Sequence, residues 1–215
     1  MIAYKRNQVE EAISRVLEPR APERSAEVRT RLKRLLETDR ALGRVVRSTD
    51  PERCNYAFYS ADAPGSGVEI WFSDYEAFAL LNGLRLMTHG WPQGFAVSVM
   101  RRVRPEMEKQ LARILKQDRS QLFDQDAIRR NAREGDMAFD NADPVLLTIV
   151  SKTGTAHGEP EPIACAICRG PNEAMRFYSN EGGLGAFTMF ELVGPAWRFM
   201  DELAKTEPQP RGRSS

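Results

Sequence analysis

The chain has 215 residues, enough for one large domain or two small ones, and its 41% hydrophobic and 28% charged residues are typical of a folded globular protein. No apolar run is long enough to span a bilayer, and no apolar signal segment follows the basic residues near the N-terminus. Three cysteines are too few for a disulfide scaffold, and the net charge of +1 by itself favours no partner. We therefore expect a cytoplasmic protein that does not enter the membrane.

The first predicted elements are two helices. Residues 7–18 place apolar side chains at helical spacing, and Pro19 ends this helix because proline cannot continue it. Ser25 is a good N-cap for a second helix over 25–38. Its predicted buried stripe is Val28, Leu32, Leu35 and Leu36. Its opposite face is basic and carries Arg24, Arg31, Lys33 and Arg34, with Arg29 and Arg40 nearby.

A β-hairpin and two further helices are predicted next. Residues 56–59 and 68–72 are rich in aromatic and β-branched side chains, and the turn residues between them favour a hairpin. Ser73 and Glu76 have the spacing of a capping box, which predicts a helix from there to about Gly90. Another helix is predicted over 93–103, with an interruption at Pro105.

The second half of the sequence begins with a highly charged stretch and continues with apolar segments. Residues 106–118 and 120–134 are highly charged, and we expect two helices there, as a connector or a dimerisation arm. Residues 145–150, 163–167 and 186–192 are strand-like, and 195–205 is an amphipathic closing helix. The sequence therefore predicts an α+β fold with four parts: a domain at 1–105, a connector at 106–142, a small α+β domain at 143–206 and a disordered tail at 207–215.

The sequence shows no recognisable catalytic machinery. Only His89 and His157 are available as imidazoles, and neither a nucleophile motif nor a phosphate-binding loop precedes a helix. Cys165 and Cys168 form a C-x-x-C pair, for which only Cys54 and His157 could complete a zinc site. Their flanking residues are typical of a strand interior, which favours a structural role over a metal or redox role. We expect no enzyme, no cofactor and no metal.

The basic residues are concentrated in the N-terminal half. Residues 1–105 contain 17 Lys and Arg against 13 Asp and Glu, a net charge of +4, whereas 106–215 contain 14 against 17, a net charge of −3. Nearly all the basic residues of the first half are arginines, whose planar donor groups bind phosphates and guanine edges in bidentate fashion. This distribution is compatible with nucleic-acid binding, and also with an ordinary solvated surface.

The order of predicted elements from residue 7 to 105 resembles the MerR-like winged-helix proteins. Two helices are followed by an aromatic hairpin, a capped helix with Phe78, Leu80, Leu81, Leu84, Leu86 and Met87, then His-Gly-Trp-Pro at 89–92 and a helix ending in arginines. The resemblance implies a winged-helix domain with the recognition helix at 25–38 and the hairpin at 56–72 as the wing. It also implies sequence-specific binding of double-stranded DNA as a homodimer.

The expected function is therefore that of a DNA-binding transcriptional regulator. Its expected DNA contacts are the basic residues of the second helix and of the end of the fourth, namely Arg24, Arg29, Arg31, Lys33, Arg34, Arg101 and Arg102. The C-terminal part would sense a small-molecule or protein effector, or dimerise. The alternative is a non-enzymatic adaptor that binds other proteins and no DNA.

Overall fold

The computed structural model describes residues 3–19, 25–60, 69–151, 162–183 and 185–209. The fold is α+β, as predicted, and the described residues form a two-stranded and a three-stranded antiparallel sheet. The chain divides into two compact units, the first comprising residues 1–101 and 198–215 and the second 102–197. Within the described ranges, no helix combines the length and the apolar composition that crossing a membrane requires.

The first unit is mainly helical. Its elements are β1 (Tyr4–Lys5), α1 (Arg6–Leu17), α2 (Ala26–Leu42), the short α3 (Pro51–Cys54), β2 (Trp71–Phe72), α4 (Asp74–Thr88) and the start of α5 (Gln93–Ile114). The helices α1, α2 and α4 confirm the sequence predictions. Ser25 caps α2 by accepting a hydrogen bond from the Val28 N–H at 3.3 Å. Ser73 and Glu76 form the predicted capping box at the start of α4.

The core of the first unit lies where α1, α2 and α4 pack against one another. The apolar stripe predicted for α2 is fully buried there, and α4 is buried around most of its circumference. Gly83 in α4 allows the closest approach, because a Cβ atom at this position would lie 3.1 Å from the Phe58 ring and 3.2 Å from the Leu35 side chain. The core therefore requires glycine at position 83 as well as the apolar side chains around it.

The predicted hairpin over 56–72 is wrong for the residues that are described. Residues 56–59 form no strand, and β2 pairs with β1 instead, with Phe72 opposite Tyr4. The N–H groups of Ala57 and Phe58 donate to the Asp39 carboxylate at 3.1 and 3.0 Å rather than to a neighbouring strand. The aromatic residues that suggested the first strand, Tyr56, Phe58 and Tyr59, are buried. The loop 61–67 lies outside the described residues.

The predicted interruption at Pro105 is also wrong, because α5 runs through it. Val103, Met107, Leu111 and Ile114 continue one helical stripe across the proline, and all four are buried. Burying each such side chain stabilises the fold by about 1.5–3 kcal/mol, whereas a proline inside a helix costs about 3 kcal/mol. The stripe as a whole therefore outweighs the lost hydrogen bond.

The predicted charged helices over 106–118 and 120–134 are much shorter in the structure. The first is the second half of α5, and the second is replaced by α6 (Arg119–Leu122) and α7 (Gln125–Asn131). Asp118 and Asp124 cap these two helices through their carboxylates. Because these N-caps restart the helix twice within seven residues, a single long arm does not form.

The second unit contains the three-stranded sheet, and its strands confirm the predicted ones. They are β3 (Val145–Ser151), β4 (Pro162–Arg169) and β5 (Ala186–Glu191), in the order β4-β3-β5. The helix α8 (Gly170–Asn180) was not predicted, and it packs on β4 and β3. Leu146, Cys168 and Ala174 form the buried centre of that contact. The predicted closing helix is present as α9 (Val193–Ala204), which ends in the first unit.

Candidate nucleic-acid interface

The solvent-facing side of α2 carries three exposed basic side chains. They are Arg29, Lys33 and Arg34, of which Arg29 and Lys33 are four residues apart and neighbours on the helix, while Arg31 is half-buried. Burial of the apolar stripe fixes which side of α2 faces solvent. The predicted recognition helix is thus a real helix whose basic face is accessible.

Acidic neighbours reduce the charge of this face. Arg31 pairs with Glu27, Lys33 lies 3.7 Å from Glu37, and Arg29 lies 3.8 Å from Glu10. Exposed pairs of this kind contribute only about 0–1 kcal/mol, so a polyanion can compete for their cations. Arg34 makes no ion pair with any described carboxylate. It is the least compensated cation among the predicted residues that the structure describes.

The basic surface of α2 continues into the segment that follows it, residues 43–53, and this continuation was not predicted. Residues 29–53 contain eight basic residues and four acidic ones. Three of these four acidic residues have structural tasks: Asp39 is fully buried, Asp50 caps α3, and Glu52 accepts a hydrogen bond from Ser98 at 2.7 Å. Arg47 and Arg53, in contrast, are exposed and form no ion pair with described residues.

We define Arg34, Arg47 and Arg53 as the uncompensated arginines of residues 29–53. Arg34 was predicted, whereas Arg47 and Arg53 were not; their signal in the sequence is the local excess of arginine between 40 and 53. Three exposed aliphatic side chains, Leu42, Val45 and Val46, lie in the same segment. The surface therefore combines positive charge with apolar area.

Arg101 is a correction to the predicted contacts, because it is 3% exposed. Its Nε donates to Asp39 Oδ1 and its Nη2 to the Asp39 carbonyl oxygen, both at 2.6 Å. Its guanidinium also lies 5.5 Å from the centre of the Tyr56 ring. A side chain held by a buried carboxylate is unable to reach DNA, so Arg101 is a structural residue of the core.

The two remaining predicted arginines have different positions. Arg102 is half-buried in the second unit, and its Nη1 donates to the Pro162 carbonyl oxygen at 3.3 Å. Arg24 lies outside the described residues. Of the predicted set, α2 therefore supplies all the exposed side chains that the structure describes.

The C-x-x-C pair lies in β4, as the sequence predicts. Residues three apart in a strand point to opposite faces, and here Cys165 is half-buried while Cys168 is buried. Burial raises the pKa of the Cys168 thiol, which keeps it protonated and unreactive. In the ranges that the structure describes, no three His, Cys, Asp or Glu side chains are grouped to hold a metal. His157 lies outside those ranges.

The second unit offers a shallow depression of about 340 Å³ along α8. Its described lining residues all come from the exposed side of this helix: Asn172, Met175, Arg176, Ser179 and Asn180. One helix face does not enclose a small molecule, and enclosed ligands usually bury most of their surface. The predicted effector at the C-terminal part stays a prediction.

Comparison with protein-family models, curated proteins and solved structures gives no match for this chain.

Proposed function

We propose that this chain is a DNA-binding regulator that contacts double-stranded DNA through α2 and the segment 43–53. The observation that carries the proposal is the set of uncompensated arginines: Arg34 on the accessible face of α2, and Arg47 and Arg53 in the segment that follows it. Phosphate contacts from such side chains supply most of the affinity of a DNA-binding protein, and base contacts supply its specificity. The resemblance to the MerR-like arrangement of helices remains a prediction for α1, α2, α4 and α5, and it no longer includes the hairpin.

In this proposal α2 lies in the major groove and the segment 43–53 contacts the flanking backbone. Lys33 and Arg34 lie on the solvent-exposed side of α2. In this proposal that side enters the groove, as the exposed side of a recognition helix does. Arg47 lies in the loop after α2 and Arg53 in α3. The loop is held by backbone hydrogen bonds from the Val45 N–H to the Arg53 carbonyl oxygen and from the Ser48 N–H to the Val45 carbonyl oxygen. A single module of this size binds weakly, so two copies on two half-sites are part of the proposal.

The test is binding of fluorescent duplex DNA by the full chain, measured by anisotropy over a range of salt concentrations. The logarithm of the wild-type binding constant should fall linearly with the logarithm of the salt concentration. Arg34→Ala and Arg47→Ala should each lower that slope by about one unit if they contact phosphate. The control is Arg129→Ala in α7, whose side chain is 78% exposed and lies in the second unit. Failure to bind at low salt, or equal binding by all variants, would contradict the proposal.

A protein-binding adaptor is the second candidate function. It is favoured by Leu42, Val45 and Val46, which are 60%, 47% and 73% exposed within one short segment. Exposed aliphatic clusters mark protein interfaces more often than DNA contacts. Wild-type chain that binds no duplex even at low salt would favour the adaptor, and Val46→Ser would then be the variant to test against its partner.

A further inference from the structure

The strand β5 lies at the edge of the three-stranded sheet. The Leu192 N–H donates to the Val145 carbonyl oxygen at 2.9 Å, which fixes which residues of β5 bond to β3. Because antiparallel strands alternate between bonded and non-bonded pairs, Phe190, Thr188 and Ala186 bond to β3. The N–H and C=O groups of Phe187 and Met189 therefore point away from the sheet.

These outward groups have no hydrogen-bond partner among the residues that the structure describes. The opposite edge strand, β4, is blocked at its two ends: Pro162 lacks an N–H and its carbonyl oxygen accepts from Arg102, while the Arg169 N–H donates to Glu173 at 2.6 Å. β5 has neither a proline nor a charged residue from 186 to 190. Proteins normally block such an edge, so an unblocked one is suited to pair with another strand.

We propose that β5 pairs antiparallel with β5 of a second copy of this chain, about a two-fold axis that passes through Thr188. In this register Phe187 lies opposite the second copy's Met189, and each of these pairs exchanges both backbone hydrogen bonds. The two Thr188 side chains meet across the axis, and Ala186 lies opposite the second copy's Phe190. The result is a continuous six-stranded sheet.

The strand is complementary to itself in this register, which favours a second copy over a foreign strand. The cross-strand pairs are aromatic with thioether, hydroxyl with hydroxyl, and methyl with aromatic, which are favourable combinations. No like charges meet, because Glu191 lies opposite Gly185. An isologous two-fold contact is also the commonest way in which chains assemble. The inference does not rest on DNA binding, and its test needs no DNA.

The first measurement is sedimentation of the wild-type chain over about a hundredfold range of concentration. The proposal requires a concentration-dependent shift from monomer to dimer. Amide hydrogen exchange should slow at Phe187 and Met189 in the dimer, because their outward N–H groups become bonded. A chain that stays monomeric throughout, or a dimer in which these amides exchange as fast as in the monomer, would overturn it.

The second measurement uses charge at the two-fold axis. Thr188→Lys and Thr188→Glu should each weaken the dimer at least tenfold, because identical charges meet across the axis. An equimolar mixture of the two variants should restore dimers, since opposite charges then meet. The control is Met175→Lys, on the exposed side of α8, which should leave the dimer unchanged. Dimerisation that is equal in all variants, or that is not restored by mixing, contradicts the register; if the variants fail to fold, the exchange measurement on wild type decides.

Discussion

Arg101 and Asp39 are 62 residues apart in the sequence and are joined by a buried ion pair, with Arg101 Nε 2.6 Å from Asp39 Oδ1. The carboxylate also accepts hydrogen bonds from the N–H groups of Ala57 and Phe58, so one group orders an irregular segment and binds α5 to α2. Arg101 Nη1 extends the network to the Glu52 carbonyl oxygen at 3.3 Å. This network replaces the hairpin that the aromatic residues had suggested.

Removing one member of this pair should strongly destabilise the first unit. Arg101→Met keeps most of the side-chain volume but leaves a buried carboxylate without its cation, for which a cost of about 3–5 kcal/mol is expected. The measurement is the free energy of unfolding from urea denaturation. Arg34→Met is the control, because an exposed arginine should matter by less than about 0.5 kcal/mol. Equal stability of the two variants would show that the ion pair does not hold the core.

The Arg101 result shows what could be predicted from the sequence and what could not. The capping box at Ser73 and the apolar stripe of α2 depend on neighbours within a few residues, so their pattern alone identified them. Arg101 stands in an Arg-Arg-x-Arg run that is typical of a solvated surface. Its burial depends on Asp39, a distant partner that no local pattern reveals.

A similar reason explains why the sequence did not predict the continuation of α5 through Pro105 or the irregular conformation of residues 56–59. The outcome at Pro105 depends on buried contacts of Met107 and Leu111, which compensate a local cost. Residues 56–59 have strand-like composition, but the hydrogen bonds of their backbone go to a side chain. The helix α8 could have been found, since Pro171 stands in its first turn and Ala174 and Phe177 have helical spacing.

Gly83→Ala should destabilise the chain although alanine is the better helix former. The new Cβ would lie 3.1 Å from the Phe58 ring, and both Phe58 and Leu35 are fully buried. Overpacking costs about 1–3 kcal/mol, which exceeds the gain of about 1 kcal/mol in helix propensity. Gly94→Ala in the first turn of α5 is the control, because nothing lies within 4 Å of its Cβ position. Relative to wild type, the melting temperature should fall for Gly83→Ala and should stay equal or rise for Gly94→Ala.

Asp143 should make the stability of the second unit depend on pH. Burial acts to raise the pKa of this carboxyl, but hydrogen bonds from Arg113 and Gln117 and the charge of Arg169 outweigh burial and lower the pKa below its ordinary value. A lowered folded-state pKa contributes stability that is present above the unfolded pKa of about 3.9 and is lost as the pH falls through the folded value.

The corresponding variant is Asp143→Asn, which retains the shape but not the charge. At neutral pH it should be less stable than wild type by about 1–2 kcal/mol, because Arg113 and Arg169 lose their negative partner and Gln117 loses its ionised acceptor. Urea unfolding followed at a series of pH values should show this difference shrinking below about pH 4. A difference that is constant down to pH 2 would mean that the Asp143 charge does not stabilise the unit.

The two ends of the described chain are joined in the first unit, and this contact should be needed for its stability. Gln8 Nε2 donates to the Thr206 carbonyl oxygen at 3.2 Å and lies 3.3 Å from its Oγ1, and both residues are buried. Gln8 Oε1 accepts from the Lys5 N–H at 3.0 Å, so one side chain caps α1 and holds the C-terminal segment. Gln8→Glu keeps the acceptor and removes the donor, whereas Gln8→Ala removes both.

We expect Gln8→Ala to cost about 2 kcal/mol, and Gln8→Glu to cost at least as much, because its carboxylate would face the Thr206 carbonyl oxygen in a buried site. Thr206→Val should cost less, about 1 kcal/mol, since the carbonyl acceptor remains. Truncation after Lys205 removes both Thr206 acceptors together with the Glu207 carbonyl oxygen that Asn7 bonds, and should also destabilise the unit. The combination of truncation with Gln8→Ala should cost less than the sum of the two changes, because both remove the contact between Gln8 and Thr206. Urea denaturation measures the free energy of unfolding of all five variants, and additive costs in the combined variant would show that Gln8 and Thr206 stabilise the unit independently.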